Sequence, residues 1–526
     1  MARNYTIPPF HELRLVTHDF YPNNVVIPTI KLLNTQAAVV DVIPSQRGAA
    51  EIYGRELVPD AEYTIEEGEK LAVYTWTGCS IQVKGSVAQE YEGSDHAMKE
   101  YLNVMNALNA ERELATINRV QGPRVLITGS PSSGKSSVSM VMCNYAVRSG
   151  WSPLFVEADP RASTDKKPLQ FYPGTIGASV ISSVTDEPPE NPLVYFYGHT
   201  DMKENEKLYI QVSHALAATV ELMMEEALEQ QPNNRISDEV NDMGKYIAAS
   251  GIIINAPFSS NRDLILQLAK IYNVSMILVI DSPSTHQELV RAFDELTTAK
   301  QTDIKEEIMK SAALGNLAFQ DASDSPRSID EEPSAPEPIE EEEEPVQDNT
   351  AKDVLVLAVN KLEGVVPVDH DRLKYLNTRA WKRYFDRPPG EMHNTRFAID
   401  NLNLVFIDTS FGLSKDALPT DDAGKVNKEE IYASPWTGDP VSLINSILAI
   451  PATDDIKLIP YCNIIGFVLV KCVEEVPKPG IPDEEEDPMD TEFVADVICP
   501  SVYSPSAVPP YLLVPGNLRS MKLQTL

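Results

Sequence analysis

Alternating apolar and polar positions mark the first ninety residues of the chain. In five stretches the side chains alternate or are β-branched, and Gly, Pro, Asn or Asp residues bound each one. A period of two is typical of strands with one buried face. Because no helical pattern interrupts these strands, they predict a small β-sandwich or barrel. The stretches are Glu12–Thr17, Ala37–Ile43, Glu51–Tyr53, Leu71–Thr75 and Cys79–Lys84.

A helical period follows. Ser94 and Asp95 are candidate N-caps, apolar residues then recur at spacings of three and four, and Gly122-Pro123 ends the pattern. Beyond it, fully apolar runs alternate with helical stretches up to residue 320, which predicts a parallel sheet buried on both faces. The apolar runs are Arg124–Thr128, Leu154–Glu157, Val194–Tyr197, Ile252–Asn255 and Ser275–Ile280.

The last third of the chain changes character twice. Residues 318–352 are rich in Ser, Pro and Glu, with almost no large apolar residues, and we expect a disordered insertion there. A strand over Val354–Val359 and a basic helix over Asp371–Tyr384 resume the pattern. After Pro388-Pro389-Gly390, strands predominate to the end, apart from an acidic loop at about 474–492.

Composition limits the classes of partner. The 526 residues are 43% apolar and 23% charged, as in ordinary globular proteins. Acidic residues outnumber basic ones, 78 to 44, giving a net charge of −34, and segments 321–353 and 483–492 carry −18 of it. A global basic face for nucleic acid is therefore excluded, and any RNA contact must use a local patch.

Cysteine usage and hydropathy bear on the compartment. Five cysteines, an odd number without a C-x-x-C pair, argue against a disulfide framework. The first residues lack the apolar core of a signal peptide, and no run of 18 apolar residues occurs. We expect a soluble intracellular protein in a reducing compartment, without membrane contact.

The strongest chemical signal is a phosphate-binding loop. Residues Gly129–Ser137 read GSPSSGKSS and fill every fixed position of G-x-x-x-x-G-K-[ST], between an apolar strand and a helix. Glycines let backbone N–H groups curl around a phosphate at the helix N-terminus. Lys135 is expected to reach the β- and γ-phosphates of ATP, and the Ser136 hydroxyl to bind Mg²⁺. A plain Gly/Ser turn is disfavoured because strand, loop and helix agree. The expected nucleotide-binding residues are Gly129, Ser132, Ser133, Gly134, Lys135, Ser136 and Ser137.

Acidic residues follow two predicted strands. Asp159 comes just after Leu154–Glu157, where a carboxylate near a phosphate loop can bind Mg²⁺ or act as a base. The alternative is a surface acid that closes the strand. Asp281, after Ser275–Ile280, is a similar but weaker candidate.

Further motifs accompany the loop, in a fixed order. With them the chain resembles the eukaryotic P-loop family that comprises RNA 5′-hydroxyl kinases and the nucleotide-binding subunit of the pre-mRNA cleavage and polyadenylation factor. The similarity runs over nearly the whole chain. The motifs are Glu12-Leu13-Arg14, Glu51–Leu57, Lys70–Cys79, Gly122–Val125, Asn144–Val147 and Pro173–Ala178.

The resemblance implies three domains and an adenine site. Glu12 and Lys70 would hold the adenine end of ATP, although by themselves they read as a strand-edge acid and a solvated lysine. The implied parts are an N-terminal β-sandwich (1–93), a linker helix (94–121), a central α/β P-loop domain with a parallel sheet and the acidic insertion (122–387), and a C-terminal β-rich α+β domain with the acidic loop (388–526).

Two departures from the family's kinases concern the RNA substrate. The kinases have Asp-x-Gly-Gln, whereas Asp159 is followed by Pro-Arg-Ala. They also carry a tryptophan that stacks on RNA after an Asn-Thr-x-Gly strand end, whereas Asn255 is followed by Ala-Pro-Phe. Phe258 offers weak stacking, but loop packing is the interpretation that we favour.

A third departure concerns the lid. Its paired arginines clamp the transferred phosphate in the kinases, and the clamp is worth about 10³–10⁵ in rate, or ~4–7 kcal/mol of barrier. The corresponding positions here fall on Lys or Leu and then Asn. Arg372, Arg379 and Arg383 are displaced substitutes or, as we favour, a solvated basic helix face.

These departures lead to one hypothesis with two alternatives. We expect a nuclear, pseudokinase-like subunit of the mRNA 3′-end cleavage and polyadenylation machinery, in which ATP with Mg²⁺ is a structural ligand. The implied partners are the cleavage-factor subunit that binds the RNA polymerase II C-terminal domain and other 3′-end processing subunits, with indirect or weak RNA contact. The first alternative is an active RNA 5′-hydroxyl kinase with Asp159 as base. The second is a generic ATP-driven switch.

Overall fold

Twelve stretches of the chain make up the described structure. The computed structural model describes residues 2–18, 26–33, 48–161, 171–184, 191–230, 246–259, 261–295, 354–386, 390–408, 431–477, 491–518 and 521–523. The strand expected over Ala37–Ile43 and the acidic insertion expected at 318–352 lie outside these residues.

The N-terminal domain is a β-sandwich. One antiparallel sheet has the order β1-β8-β3-β6 and the other β5-β4-β7-β2-β9. Their inner faces bury alternate aliphatic residues such as Leu13, Leu15 and Val73, as the period-two pattern predicts. The strands are β1 (Arg3–Ile7), β2 (His11–Val16), β3 (Thr29–Leu32), β4 (Glu51–Ile52), β5 (Arg55–Glu56), β6 (Glu62–Thr64), β7 (Lys70–Thr75), β8 (Cys79–Lys84) and β9 (Gln89–Ser94).

A long helix, α1 (Met98–Asn118), links the sandwich to the centre. Ser94 is the last residue of β9, so its expected role as an N-cap is wrong. Asp95 accepts a hydrogen bond from the backbone N–H of Ala97, at 3.0 Å, directly before the helix.

The central domain is an α/β P-loop domain around a mostly parallel sheet. The strand order is β13-β12-β11-β14-β10-β15-β16, in which β12 and β13 are antiparallel to their neighbours. Five adjacent strands are parallel, and apolar clusters cover both faces. The elements are β10 (Arg124–Gly129), α2 (Lys135–Arg148), β11 (Leu154–Glu157), β12 (Thr175–Val180), β13 (Leu193–Phe196), α3 (Glu206–Glu229), α4 (Ile247–Ser250), β14 (Ile252–Asn255), α5 (Arg262–Ile271), β15 (Met276–Ile280), α6 (283–295 as described), β16 (Leu355–Val359) and α7 (His370–Phe385).

The C-terminal domain is β-rich. Its sheet has the order β17-β22-β21-β20-β23-β18-β19, and only the β18–β23 pair is parallel among the described strands. Strand β21 extends to Pro477 and β22 begins at Thr491, so both ends of the acidic loop expected at about 474–492 are in strands, and residues 478–490 lie outside the described residues. The strands are β17 (Met392–Ala398), β18 (Leu404–Asp408), β19 (Tyr432–Pro435), β20 (Ile447–Pro451), β21 (Ile464–Pro477), β22 (Thr491–Pro500) and β23 (Leu512–Leu513).

Helix α7 joins the central and C-terminal domains through an aromatic cluster. Trp381 stacks on Tyr172, with ring centroids 5.2 Å apart, and meets Phe467 of β21 edge-on at 4.7 Å. Tyr384 adds an edge contact to Tyr172, and its hydroxyl oxygen accepts a hydrogen bond from the backbone N–H of Phe467 at 3.0 Å. Helix α7, the segment around Tyr172 and strand β21 therefore share one hydrophobic core.

Removing the central ring of this cluster tests the shared core. Trp381 is 3% exposed, and Trp381→Ala is expected to cost about 3–5 kcal/mol of unfolding free energy because it leaves a cavity between domains. The measurement is the midpoint of guanidinium unfolding. Trp381→Phe keeps a ring and should lose less; an alanine variant that unfolds like wild type would contradict a shared core.

Candidate nucleotide-binding site

The phosphate loop connects the central strand β10 to helix α2, and two glycines shape it. Gly129 has φ = 151°, and a Cβ there would lie 2.2 Å from the carbonyl oxygen of Ile280. Gly134 has φ = 87°, in the left-handed region that favours glycine. The backbone conformation of the loop therefore depends on glycine at both fixed positions.

The loop residues fit an anionic ligand. Lys135 is only 9% exposed, and burial lowers the pKa of its ammonium group, against the opposing effect of Asp159 and Glu157. The Ser133 hydroxyl is buried and has no hydrogen-bond partner among the described residues. A phosphate at the N-terminus of α2 would supply the missing acceptor and a counter-charge.

One cavity of about 480 Å³ brings the expected site residues together. The N-terminal sandwich, the phosphate loop, the edge of the central sheet and α7 all contribute to its wall. Gly129 is not part of the wall, since it lies against Ile280 at the end of β10. The expected residues in the wall are Glu12, Lys70, Ser132, Ser133, Gly134, Lys135, Ser136, Ser137 and Asp159.

Glu12 is the buried acid at the sandwich side of the cavity. It is 4% exposed, and the Arg14 guanidinium donates a hydrogen bond to its carboxylate at 2.5 Å. Burial raises the pKa of Glu12 to about 7, although Arg14 opposes the rise. Lys70 begins the neighbouring strand β7 and is exposed.

A segment between β16 and α7, residues 360–368, closes over the loop; we call it the strap. The backbone N–H of Glu363 donates to Asp95 at 3.1 Å, and that of Val368 donates to the Ser132 hydroxyl at 3.2 Å. Gly364 packs so tightly on Glu12 that a Cβ would lie 2.7 Å from its carboxylate. The strap carries no sequence motif by which it could have been predicted.

The edge of the sheet beneath the loop is a buried polar cluster. The Asn255 amide donates to both carboxylate oxygens of Glu157, at 2.9 and 3.0 Å, and to the Ser136 hydroxyl at 3.1 Å. Burial, reinforced by Asp159, raises the pKa of Glu157 well above its ordinary value. The cluster orients Ser136, and sequence reasoning assigned no role to Asn255 or Glu157 in it.

Asp159 lies near the loop lysine rather than on the surface. Its backbone N–H donates to Glu157 at 3.1 Å, and its carboxylate accepts from the backbone N–H of Arg161 at 3.0 Å. Burial raises the pKa of Asp159, and Lys135 is the strongest opposing charge. The position is compatible with either a cation ligand or a base.

The arginines of α7 hold the sandwich. Arg379 donates to the Glu66 carboxylate at 3.0 Å and to the backbone carbonyl of Glu67, and Arg383 also pairs with Glu66. Arg372 lies over the Tyr375 ring at 4.9 Å. The expectation of a solvated basic face is wrong for Arg379, whose side chain is 11% exposed.

The two weaker candidate site residues, Asp281 and Phe258, lie in different places relative to the cavity. Asp281 forms an ion pair with Lys361 at 2.8 Å, and its carbonyl oxygen accepts from the Ser130 hydroxyl at 2.7 Å, so it supports the loop from outside the cavity. Phe258 is half-buried in the cavity wall.

Metal clusters and membrane spans give no further site. Within the described ranges, no group of three or more His, Cys, Asp or Glu side chains could hold a metal ion. No described helix is long and apolar enough to cross a membrane.

Comparison with known proteins identifies two domains. The N-terminal β-sandwich domain of polyadenylation factor matches residues 30–115, and the P-loop of mRNA cleavage and polyadenylation factor CLP1 matches residues 129–312. Protein CLP1 homolog of Nematostella vectensis is 32% identical over 257 residues, which are 47% of this chain and 55% of that protein. Polyribonucleotide 5′-hydroxyl-kinase Clp1 of Homo sapiens is 34% identical over 251 residues, 46% of this chain and 54% of that protein. The matches thus span about half the length of these curated relatives.

Solved structures agree on the fold. Clp1p in a complex with Pcf11p superposes with a TM-score of 0.62 at 17% identity, covering 98% of this chain and 99% of that one. A second Clp1p–Pcf11p complex gives 0.61 at 17% identity, covering 96% and 98%. Since both family models match in their expected order and together cover about half of the chain, the protein belongs to the CLP1 family of P-loop mRNA cleavage and polyadenylation factors.

Proposed function

We propose that the protein is an ATP-binding, non-catalytic subunit of the nuclear machinery that cleaves and polyadenylates pre-mRNA 3′ ends. The observation that carries the proposal is the shared cavity, which the phosphate loop, the sandwich residues Glu12 and Lys70, and the strap all line. A nucleotide in that space would contact two domains at once.

Each part of ATP has residues that suit it. Backbone N–H groups of Ser132–Ser137 and the Lys135 ammonium group would hold the phosphates. Glu12 and Lys70 would hold the adenine end. Ser136 and Asp159 would hold Mg²⁺, which prefers oxygen ligands and, when bound, neutralises phosphate charge. Asn255 already donates to Ser136, so this hydroxyl is oriented before any ligand arrives.

The surroundings of the phosphates support binding without turnover. Of the arginines that could clamp a transferred phosphate, Arg379 and Arg383 are engaged with Glu66 and the backbone of the sandwich, whereas Arg372 lies in the cavity wall. Loss of such a clamp removes about 4–7 kcal/mol of transition-state stabilisation, while ground-state nucleotide contacts are retained.

The proposed protein partner is inferred from the relatives of this chain and not from the cavity. The solved relatives are complexes of Clp1p with Pcf11p. We infer that this protein joins a cleavage-factor subunit of that kind, one that binds the RNA polymerase II C-terminal domain, and further 3′-end processing subunits. The net charge of −34 favours protein partners and an indirect or weak contact with RNA.

RNA 5′-hydroxyl phosphorylation is the second candidate function. The vertebrate relatives are named polyribonucleotide 5′-hydroxyl-kinases. Asp159 lies near Lys135, and the raised pKa of its carboxylate is a property of a general base.

A kinase assay separates the two candidates. Incubation with γ-labelled ATP and 5′-hydroxyl RNA is expected to label no RNA above background, because Arg379 and Arg383 are bound to Glu66 and no tryptophan lies close after Asn255 in the sequence. The Asp159→Asn variant is the matched control. Labelling by wild type that disappears in the variant would establish the kinase and reject the non-catalytic role.

A double substitution tests ATP as a structural ligand. Lys135→Ala with Ser136→Ala should abolish ATP retention, because both the phosphate contact and the Mg²⁺ ligand are lost. A ligand at 1,000-fold excess over its Kd stabilises the fold by about 4 kcal/mol, so the variant should melt at lower temperature in ATP.

The control for this experiment is Lys270→Ala, which removes an exposed lysine from the last turn of α5. Calorimetric melting and a Pcf11-type partner pull-down are measured on the same preparations. If the double variant lacks nucleotide yet melts and captures its partner like wild type, ATP has no structural role.

Glu12 predicts a pH dependence of stability in nucleotide-free protein. Its pKa is about 7 in the folded state and near 4.3 in an unfolded chain, so the folded protein binds more protons between these values. The contribution of Glu12 to the free energy of unfolding should therefore be lost as pH rises through 7. Relative to Glu12→Gln, the wild type should lose about 2–4 kcal/mol. Melting of both variants at pH 5, 6, 7 and 8 measures it; parallel curves would show that Glu12 does not titrate in this range.

A further inference from the structure

Arg161 lies at the phosphate end of the cavity, where the family's kinases have Gly-Gln. A series of contacts connects Glu12, which would hold the adenine, to the phosphate loop. Glu12 contacts Gly364 of the strap, Val365 lies against Gly134 of the loop, and the next residue is the loop lysine. Arg161 follows Asp159 after the end of β11 and is close enough to Lys135 to lower the pKa of its ammonium group.

Two fixed groups hold Arg161 in this position. Its backbone N–H donates to Asp159 at 3.0 Å, and its guanidinium donates to one carboxylate oxygen of Asp201 at 2.8 Å. The other Asp201 oxygen accepts from the backbone N–H of Lys203 at 3.1 Å, so the acceptor is itself anchored. A guanidinium has five N–H donors, and Asp201 accepts from this one through a single carboxylate oxygen.

We propose that Arg161 binds the terminal phosphate of ATP and makes the site selective for ATP over ADP. This inference rests on the proposed nucleotide-binding function. The geometry supplies a planar donor in the wall of the cavity that the phosphate loop also lines, and a guanidinium matches phosphate oxygens in pairs.

Charge balance supports the same role. Lys135 and Arg161 are two cations beside the carboxylates of Asp159 and Glu157, and Arg161 disfavours the charged form of Lys135. A third phosphate would bring negative charge between the two cations. Arg161 would bind the ground state of ATP, which strengthens retention without accelerating transfer.

The test compares ATP and ADP on the full chain after removal of bound nucleotide. Titration calorimetry with Mg²⁺ measures the Kd of each nucleotide for wild type, Arg161→Gln and Asp201→Asn. Arg161→Gln should weaken ATP binding by about tenfold to a hundredfold and ADP binding by less than about twofold, because the lost hydrogen bonds are charge-assisted. Asp201→Asn loses the charged acceptor that holds Arg161 and should weaken ATP binding by less than Arg161→Gln does, with ADP binding unaffected.

The outcomes separate this inference from the function on which it rests. Equal loss of both nucleotides, or no loss of either, in Arg161→Gln would overturn the role of Arg161 while leaving ATP binding intact. Failure of wild type to bind ATP through Lys135 would overturn both. If Arg161→Gln does not fold, Arg161→Lys decides: it keeps the charge but loses the fork, so ATP binding should weaken severalfold with ADP unaffected.

Discussion

The burial of the Glu51 carboxylate against helix α2 is the interaction on which the cavity depends. Tyr145 donates its hydroxyl to Glu51, and Arg148 donates to it at 2.8 Å, so a buried charge is paired as its burial requires. Lys135 is the first residue of the same helix. Glu51 and Glu12 both face Tyr74 in the register of their sheet, on opposite sides of β7. One helix therefore connects the phosphate loop to the strands that carry Glu51 and Glu12.

The strap adds a second connection between the same two parts. The strap carries no sequence motif. It nevertheless donates hydrogen bonds to Asp95, at the junction of the sandwich with α1, and to Ser132 in the loop. Tyr101 of α1 donates to the carbonyl oxygen of Asn360 at 2.6 Å and fixes the start of the strap. The cavity is thus an interface between domains rather than a cleft within one domain. A ligand there would add binding energy to a junction that already has buried polar contacts.

Local patterns determined what the sequence could predict. The phosphate loop follows from nine consecutive residues, and the apolar runs that flank it appear as β10, β11 and β15 because a parallel sheet buries both faces. Glu12 and Lys70 were reached only through family resemblance, since their role depends on a contact between domains. The strap and the α7–Glu66 pairs were missed for the same reason. Ser94 was misread because β9 extends through it, and the pairing of β9 with β2 outweighs a capping preference.

Helix α7 shows how binding and catalysis can separate within this fold. A transition-state clamp must reach the phosphates, because only interactions that are stronger in the transition state than in the ground state accelerate the transfer. Here Arg379 and Arg383 are bound to Glu66 of the sandwich, and the opposite face of α7 contributes Trp381 to the aromatic cluster. A helix fixed on both sides braces the three domains around the cavity. The phosphate loop, Glu12 and Lys70 lie on other elements, so this bracing does not involve them.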